Sequence, residues 1–133
     1  MKYAKTQLAK AYGDALNGVL PVFNGFANNN NLTDYITIGE IVAVPVAQDS
    51  NFYTEYIVNI EVNSKTQNYA QATNDGYVNQ VLAIVNADNV LTGMADFTMD
   101  NQVIEDIQPF PVLAPSENQY RTLIRVRAYL TQK

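Results

Sequence analysis

Apolar residues in the first segment fall at Ala4, Leu8, Ala11, Tyr12, Ala15, Leu16 and Val19. Steps of four, three and one trace one face of an α-helix, and the spacing predicts a helix over Lys2–Asn17. Lys2, Lys5, Lys10 and Asp14 lie mostly off that stripe. Gly18 suits the C-cap, and Pro21 prevents continuation. Val22-Phe23 reads as a short strand before a loop that contains Asn28–Asn31, four residues suited to turns. The β-branched run that follows predicts a strand over Tyr35–Val44, with Gly39 as a bulge or bend and Pro45 ending its central pairing.

The clearest alternation in the chain comes next. Phe52, Thr54, Tyr56, Val58, Ile60 and Val62 alternate with Tyr53, Glu55, Ile57, Asn59, Glu61 and Asn63. This predicts a strand with its even face buried, joined to the preceding one as a hairpin, with 45–51 as a turn or a longer tongue. Ser64, with Gln67 three residues on, has the form of a capping box and predicts a second helix ending near Asn86. Tyr69, Ala72, Val78, Val81, Leu82 and Val85 carry its stripe, and Asn74-Asp75-Gly76 interrupts it. Glycine there costs about 1 kcal/mol relative to alanine, so a kink or two short helices is expected.

Residues 88–118 are weakly patterned, with Val90-Leu91-Thr92 and Val103-Ile104 as strand fragments and Pro109, Pro111 and Pro115 holding 109–118 loop-like. Residues 119–131 alternate again. Tyr120, Thr122, Ile124, Val126, Ala128 and Leu130 form the core face, and Arg121, Leu123, Arg125, Arg127 and Tyr129 form the other. The order α, β, β, α, weak β, β predicts a single α+β domain over 1–133. Its mainly antiparallel sheet packs on two helices, with long loops at 21–33, 45–51 and 105–118.

Composition narrows the chemistry. The 133 residues are 47% hydrophobic and only 16% charged, enough apolar content for a core without staples. There is no His, Cys or Trp, which excludes a Ser-His-Asp triad, a Cys-His pair, disulfides and any Cys- or His-based metal site within the chain. Carboxylates are the remaining acid–base groups. Glu105-Asp106 would point to opposite faces of a strand, and Asp96 to Asn101 lacks the rest of a calcium-binding loop. No cofactor, no metal and no catalytic residue is expected. The net charge of −5 disfavours binding to nucleic-acid backbones. No apolar run is long enough for a membrane span, and the basic N-terminus lacks the apolar stretch of a signal peptide.

All three arginines, Arg121, Arg125 and Arg127, share one face of one strand. If that strand pairs with 52–62, Glu55 and Glu61 complete a cross-strand charge ladder. The alternatives are a charged partner surface, since arginine is enriched at interfaces, and a nucleic-acid groove, which the acidic whole disfavours. Tyr53 and Tyr129 occupy the same exposed register and suit a subunit contact. With Phe23 and Phe26 from the first loop, Arg121, Arg125, Arg127, Tyr129, Tyr53, Glu55 and Glu61 form the candidate interface. The long loops read as docking arms and carry no phosphate-cradling glycine pattern.

The ordered stretches have a familiar arrangement. The opening helix is followed by Tyr35-Ile36-Thr37-Ile38-Gly39-Glu40. Then Tyr56-Ile57-Val58-Asn59-Ile60-Glu61-Val62 leads through Ser64 and Tyr69 into a helix, and Tyr120-Arg121-Thr122-Leu123-Ile124-Arg125-Val126-Arg127 closes the chain. In this order the chain resembles the tail-completion, or tail-terminator and head–tail joining, proteins of tailed bacteriophages. The Asn run, the interrupted second helix and the Pro-rich 109–118 segment depart from that pattern. The resemblance implies a non-enzymatic structural protein of the virion, assembled in the bacterial host cytoplasm. It would form a ring of six or twelve copies at the head–tail junction, contacting tail or neck proteins and the head connector or portal. DNA could pass through such a ring without specific recognition. Two other classes fit the residues alone: a monomeric carbohydrate- or peptide-binding module using the Tyr- and Asn-rich loops, and an enzyme using only carboxylates.

Overall fold

A computed structural model describes residues 3–25, 34–44, 53–65, 70–111 and 119–133. The expected first helix is present as α1, Lys5–Leu16, with Leu8, Ala11, Tyr12 and Leu16 buried. The Ala4 amide at its start donates to the Tyr56 hydroxyl at 3.0 Å, so a side chain of the sheet satisfies a backbone group that a helix start leaves open. The helix stops at Leu16, where the Asn17 amide closes on the Gly13 carbonyl. Gly18 does not adopt the left-handed conformation expected of a cap; Gly25 and Gly93 are the glycines with positive φ. Gly25 turns the chain out of β1, Val22–Asn24, and donates its amide to the Ile38 carbonyl.

The remaining elements are β2, Asp34–Val44; β3, Tyr53–Lys65; α2, Ala70–Leu82; β4, Phe97–Pro111; and β5, Gln119–Gln132. They form one five-stranded sheet in the order β1-β2-β3-β5-β4. β1 runs parallel to β2, and every other neighbouring pair is antiparallel. The fold is α+β, as the element order predicted. β2 and β3 pair as the expected hairpin; the connection at 45–52 lies outside the described residues. The bulge expected near Gly39 is present, because the register shifts between Ile38 and Ile41.

α1 packs over β1 and β2, and α2 over β3 and β5. One core lies between helices and sheet. Ile36, Ile38, Tyr56, Val58, Ile60, Val62, Ile124, Val126, Ala128 and Leu130 point into it, as the period-2 reading required. Two polar brackets cross it. Tyr12 Oη donates to Gln102 Oε1 at 2.8 Å, while Gln102 Nε2 donates to the Ile84 and Asn89 carbonyls. Asn74 Nδ2 donates to the Val62 and Tyr120 carbonyls and to Ser64 Oγ, and Thr122 Oγ1 donates to Asn74 Oδ1.

These brackets correct the reading of the second helix. Ser64 is no cap: it is a buried residue within β3 and a partner of Asn74. Gln67 and Tyr69 lie outside the described residues. Asn74-Asp75-Gly76 does not break α2, because Asn74 ties the helix to both central strands and those bonds offset the weak helix propensity. Ala72 is exposed, and the helix ends at Leu82 rather than near Asn86. Asn86 instead donates from its side chain to the Leu82 and Ala83 carbonyls, closing the turn.

The largest difference lies in the C-terminal third. Residues 105–111, expected to be loop, belong to β4. Pro109 and Pro111 are tolerated because β4 pairs only with β5 among the described residues, and an edge strand has one row of amides that needs no ladder partner. Residues 90–92, expected as a strand fragment, form no strand. Residues 112–118 lie outside the described residues.

Candidate functional site

Both helices lie on one side of the sheet, and the other side carries the candidate residues. Its composition follows from the register. One cross-strand row reads Val44, Glu55, Tyr129, Asn101, and the next reads Val42, Ile57, Arg127, Val103. Asn59, Arg125 and Asp106 form a third; Thr37, Glu61, Leu123 and Gln108 a fourth; and Tyr35, Asn63 and Arg121 belong to a fifth. Phe23 joins this side because the parallel β1 sets it beside Thr37, and its ring meets that of Tyr35 edge-on at 6.2 Å. The structure therefore brings Arg121, Arg125, Arg127, Tyr129, Tyr53, Glu55, Glu61 and Phe23 onto one surface. Phe26 lies outside the described residues.

The arginines form the charge ladder that β3–β5 pairing allows. Arg127 is its centre. Nη1 meets Glu55 Oε2 on β3 at 2.9 Å, and Nε donates to Glu105 Oε1 on β4. One guanidinium thus joins three strands, a role suited to its planar fork of donors. The bonds to Glu105 and Glu55 push its pKa further up, so it remains cationic. Arg121 approaches Glu61 at 3.8 Å. Arg125 faces Asn59, whose Oδ1 accepts from Nε at 3.5 Å. Arg125 is exposed and makes no ion pair among the described residues, so its charge faces outward. The Tyr53 and Tyr129 rings lie 6.3 Å apart, half-buried, and Tyr53 Oη donates to Glu55 Oε1. Partial burial, then that bond and the nearby negative charge, push the Tyr53 hydroxyl pKa up.

Sequence reasoning missed Glu105 and the aliphatic part of the face. Glu105 is the extra residue of a bulge, since Ile104 pairs with Val126 and Asp106 with Arg125. The bulge turns Glu105 toward Arg127 and breaks the opposite-face rule applied to Glu105-Asp106. Val42 and Val103, exposed by 45% and 37%, flank the Arg127 row at its two ends. Apolar groups around a partly neutralised arginine can be buried against a protein surface more readily than the bare arginine row read from sequence.

A concavity opens on the helix side among the described residues. A cavity of about 510 Å³ opens between α1 and the β1–β2 edge, lined by Lys5, Thr6, Ala9, Lys10, Asn24, Gly25 and residues 38–41. Among the described residues no three acidic groups gather as metal ligands, and no helix is long and apolar enough to cross a membrane.

No protein-family model matches the sequence, and neither does any curated protein. Solved structures do match in shape. A chain from the virion of a native gene transfer agent particle superposes with a TM-score of 0.74 at 16% identity, covering 98% of this chain and 99% of that one. A second solved chain superposes with a TM-score of 0.61 at 11% identity, covering 100% of this chain and 96% of its own. At such identities the likeness establishes the fold: the same arrangement of strands and helices, end to end, occurs in a chain that is part of a virion particle.

Proposed function

We propose that the protein is a non-enzymatic structural component of a tailed-phage-like virion: a tail-completion, terminator or neck-ring subunit that closes into a ring at the head–tail junction. The observation that carries this reading is the end-to-end agreement with the gene transfer agent virion chain, 0.74 in TM-score over 98% of the sequence. The order of motifs supports it independently. In this reading the protein is assembled in the bacterial host cytoplasm. The ring holds six or twelve copies and joins tail or neck proteins to the head connector or portal. DNA passes through its lumen without specific recognition, which suits a net charge of −5. A closed ring needs heterologous contacts. The face around Arg125, Arg127, Tyr53 and Tyr129 is our candidate for one side of that contact.

The test is the mass of the purified protein in solution, by light scattering across a concentration series at low and moderate salt. Closed assemblies, or a monomer that closes into rings on concentration, are expected. Arg125→Glu should then weaken closure without unfolding the chain, because Arg125 makes no ion pair within the described subunit. Unchanged assembly in that variant would remove the electrostatic part of the contact. The cavity beside α1 favours a second reading, a monomeric module that binds a carbohydrate or peptide. A species monomeric at every concentration, with ligand-dependent stabilisation, would select it.

A further inference from the structure

Both long edges of the sheet, β2 beyond its short β1 cover and β4, are interrupted by bulges among the described residues, and each bulge carries a carboxylate. β1 covers β2 only over Ile36–Ile38. Immediately past that cover, the β2–β3 register shifts between Ile38 and Ile41, the site of Gly39 and exposed Glu40. On the opposite edge, β4 shifts twice against β5. Met99 pairs with Leu130 and Asn101 with Tyr129, so Asp100 is extra; Ile104 pairs with Val126 and Asp106 with Arg125, so Glu105 is extra. Each extra acid is held down by a side chain of β5: Thr131 Oγ1 donates to Asp100 Oδ2, and Arg127 Nε donates to Glu105 Oε1.

The two insertions serve no core purpose. With Asp100 and Glu105 removed, β4 would read Phe97 in, Thr98 out, Met99 in, Asn101 out, Gln102 in, Val103 out, Ile104 in, Asp106 out, Ile107 in. That is an unbroken alternation matching the inward residues of β5. A strand with that unbroken pattern, with Val103 and Ile107 exposed, would be a long, flat template for another strand. Bulges and charges disrupt such a template, and Pro109 and Pro111 do so at its far end.

We propose that the acid-bearing bulges at Glu40, Asp100 and Glu105 close the sheet edges to strand addition by a second copy of this chain, so that contacts between copies run through faces. This stands whether or not the protein forms a virion ring. The test uses two full-length variants: one lacking both Asp100 and Glu105, which restores the alternation, and D100V/E105V, which keeps the chain length and removes the charge. Sedimentation velocity, thioflavin T fluorescence and the intermolecular-sheet band of the infrared amide I region are compared with the wild type. Both variants are expected to shift into heterogeneous, concentration-dependent, sheet-joined species, the deletion more strongly, and V103K in the deletion background should reverse the shift. If the deletion variant loses its fold by circular dichroism, D100V/E105V decides by the same readouts. Folded variants with the wild-type mass distribution and no intermolecular sheet signal would overturn the proposal.

Discussion

β3 and β4 flank the same strand, β5, and both pair with it over most of their length, yet they follow different rules. β3 is central, meets β5 without a register shift from Tyr53↔Thr131 to Lys65↔Gln119, and buries Tyr56, Val58, Ile60 and Val62 under the helices. β4 is an edge strand, shifts twice, and buries only its first half: Phe97, Met99 and Gln102 are inside, whereas Ile107, inward by register against Ile124, is 42% exposed. Inward register therefore does not by itself mean burial. A strand belongs to the core only where something covers it, and α2 lies over β3 and β5.

The contrast can be tested by truncating matched residues. Ile60→Ala, in the covered part of β3, should cost about 3 kcal/mol in urea unfolding, from lost transfer energy plus a cavity. The next largest effect concerns the covered half of β4. Tyr12→Phe deletes the buried bond to Gln102 and should cost about 1.5 kcal/mol. Tyr12 also gives a pH signature. Burial holds its pKa above the ordinary value of 10.0, so the folded state keeps this proton where the unfolded state has lost it. This contribution to stability is therefore complete below about pH 10 and is lost as pH rises beyond it, and Tyr12→Phe should flatten that alkaline decline. Arg127→Lys tests the tie between β3 and β4. The three side chains are 19–29% exposed, so a loss of about 0.5–1 kcal/mol is expected, reduced by salt, because an ammonium cannot reproduce the forked contact to Glu55 and Glu105. Ile107→Ala should be nearly silent, below about 0.5 kcal/mol; a loss comparable to that of Ile60→Ala would mean that β4 is covered along its whole length.

The same contrast explains what could be read from the sequence. α1, β3 and β5 were legible because each keeps one period from end to end, and β2 because of its β-branched run; the alternation of β3 and β5 also puts Arg121, Arg125, Arg127, Glu55, Glu61, Tyr53 and Tyr129 on one face once those strands pair. β4 was not legible. Two inserted acids shift the phase of its alternation after Met99 and again after Ile104, leaving fragments too short to register as a strand. Prolines then suggested a loop, and their tolerance depends on being at an edge, which only the strand order reveals. Ser64 misled because a serine three residues before a glutamine has the same spelling whether it caps a helix or receives a hydrogen bond inside a strand. The place of Phe23 on the face depended on the parallel pairing of β1, a contact between segments with no local signature.

The seam between β3 and β5 has a further consequence. β2–β3 and β4–β5 join neighbours in the chain, whereas Tyr53 meets Thr131 across most of the sequence. Closing that loop costs only about 2 kcal/mol more than closing a short hairpin, because the entropic penalty grows with the logarithm of length. It must nevertheless be met before the seam yields any bond, so the two local halves are expected to form before their union. The polar brackets sit across that union, Asn74 reaching back to Val62 and Tyr12 reaching forward to Gln102. A chain divided between Lys65 and Ala70 should consequently behave as two complementary fragments, each without stable tertiary structure alone and regaining the native circular dichroism when mixed.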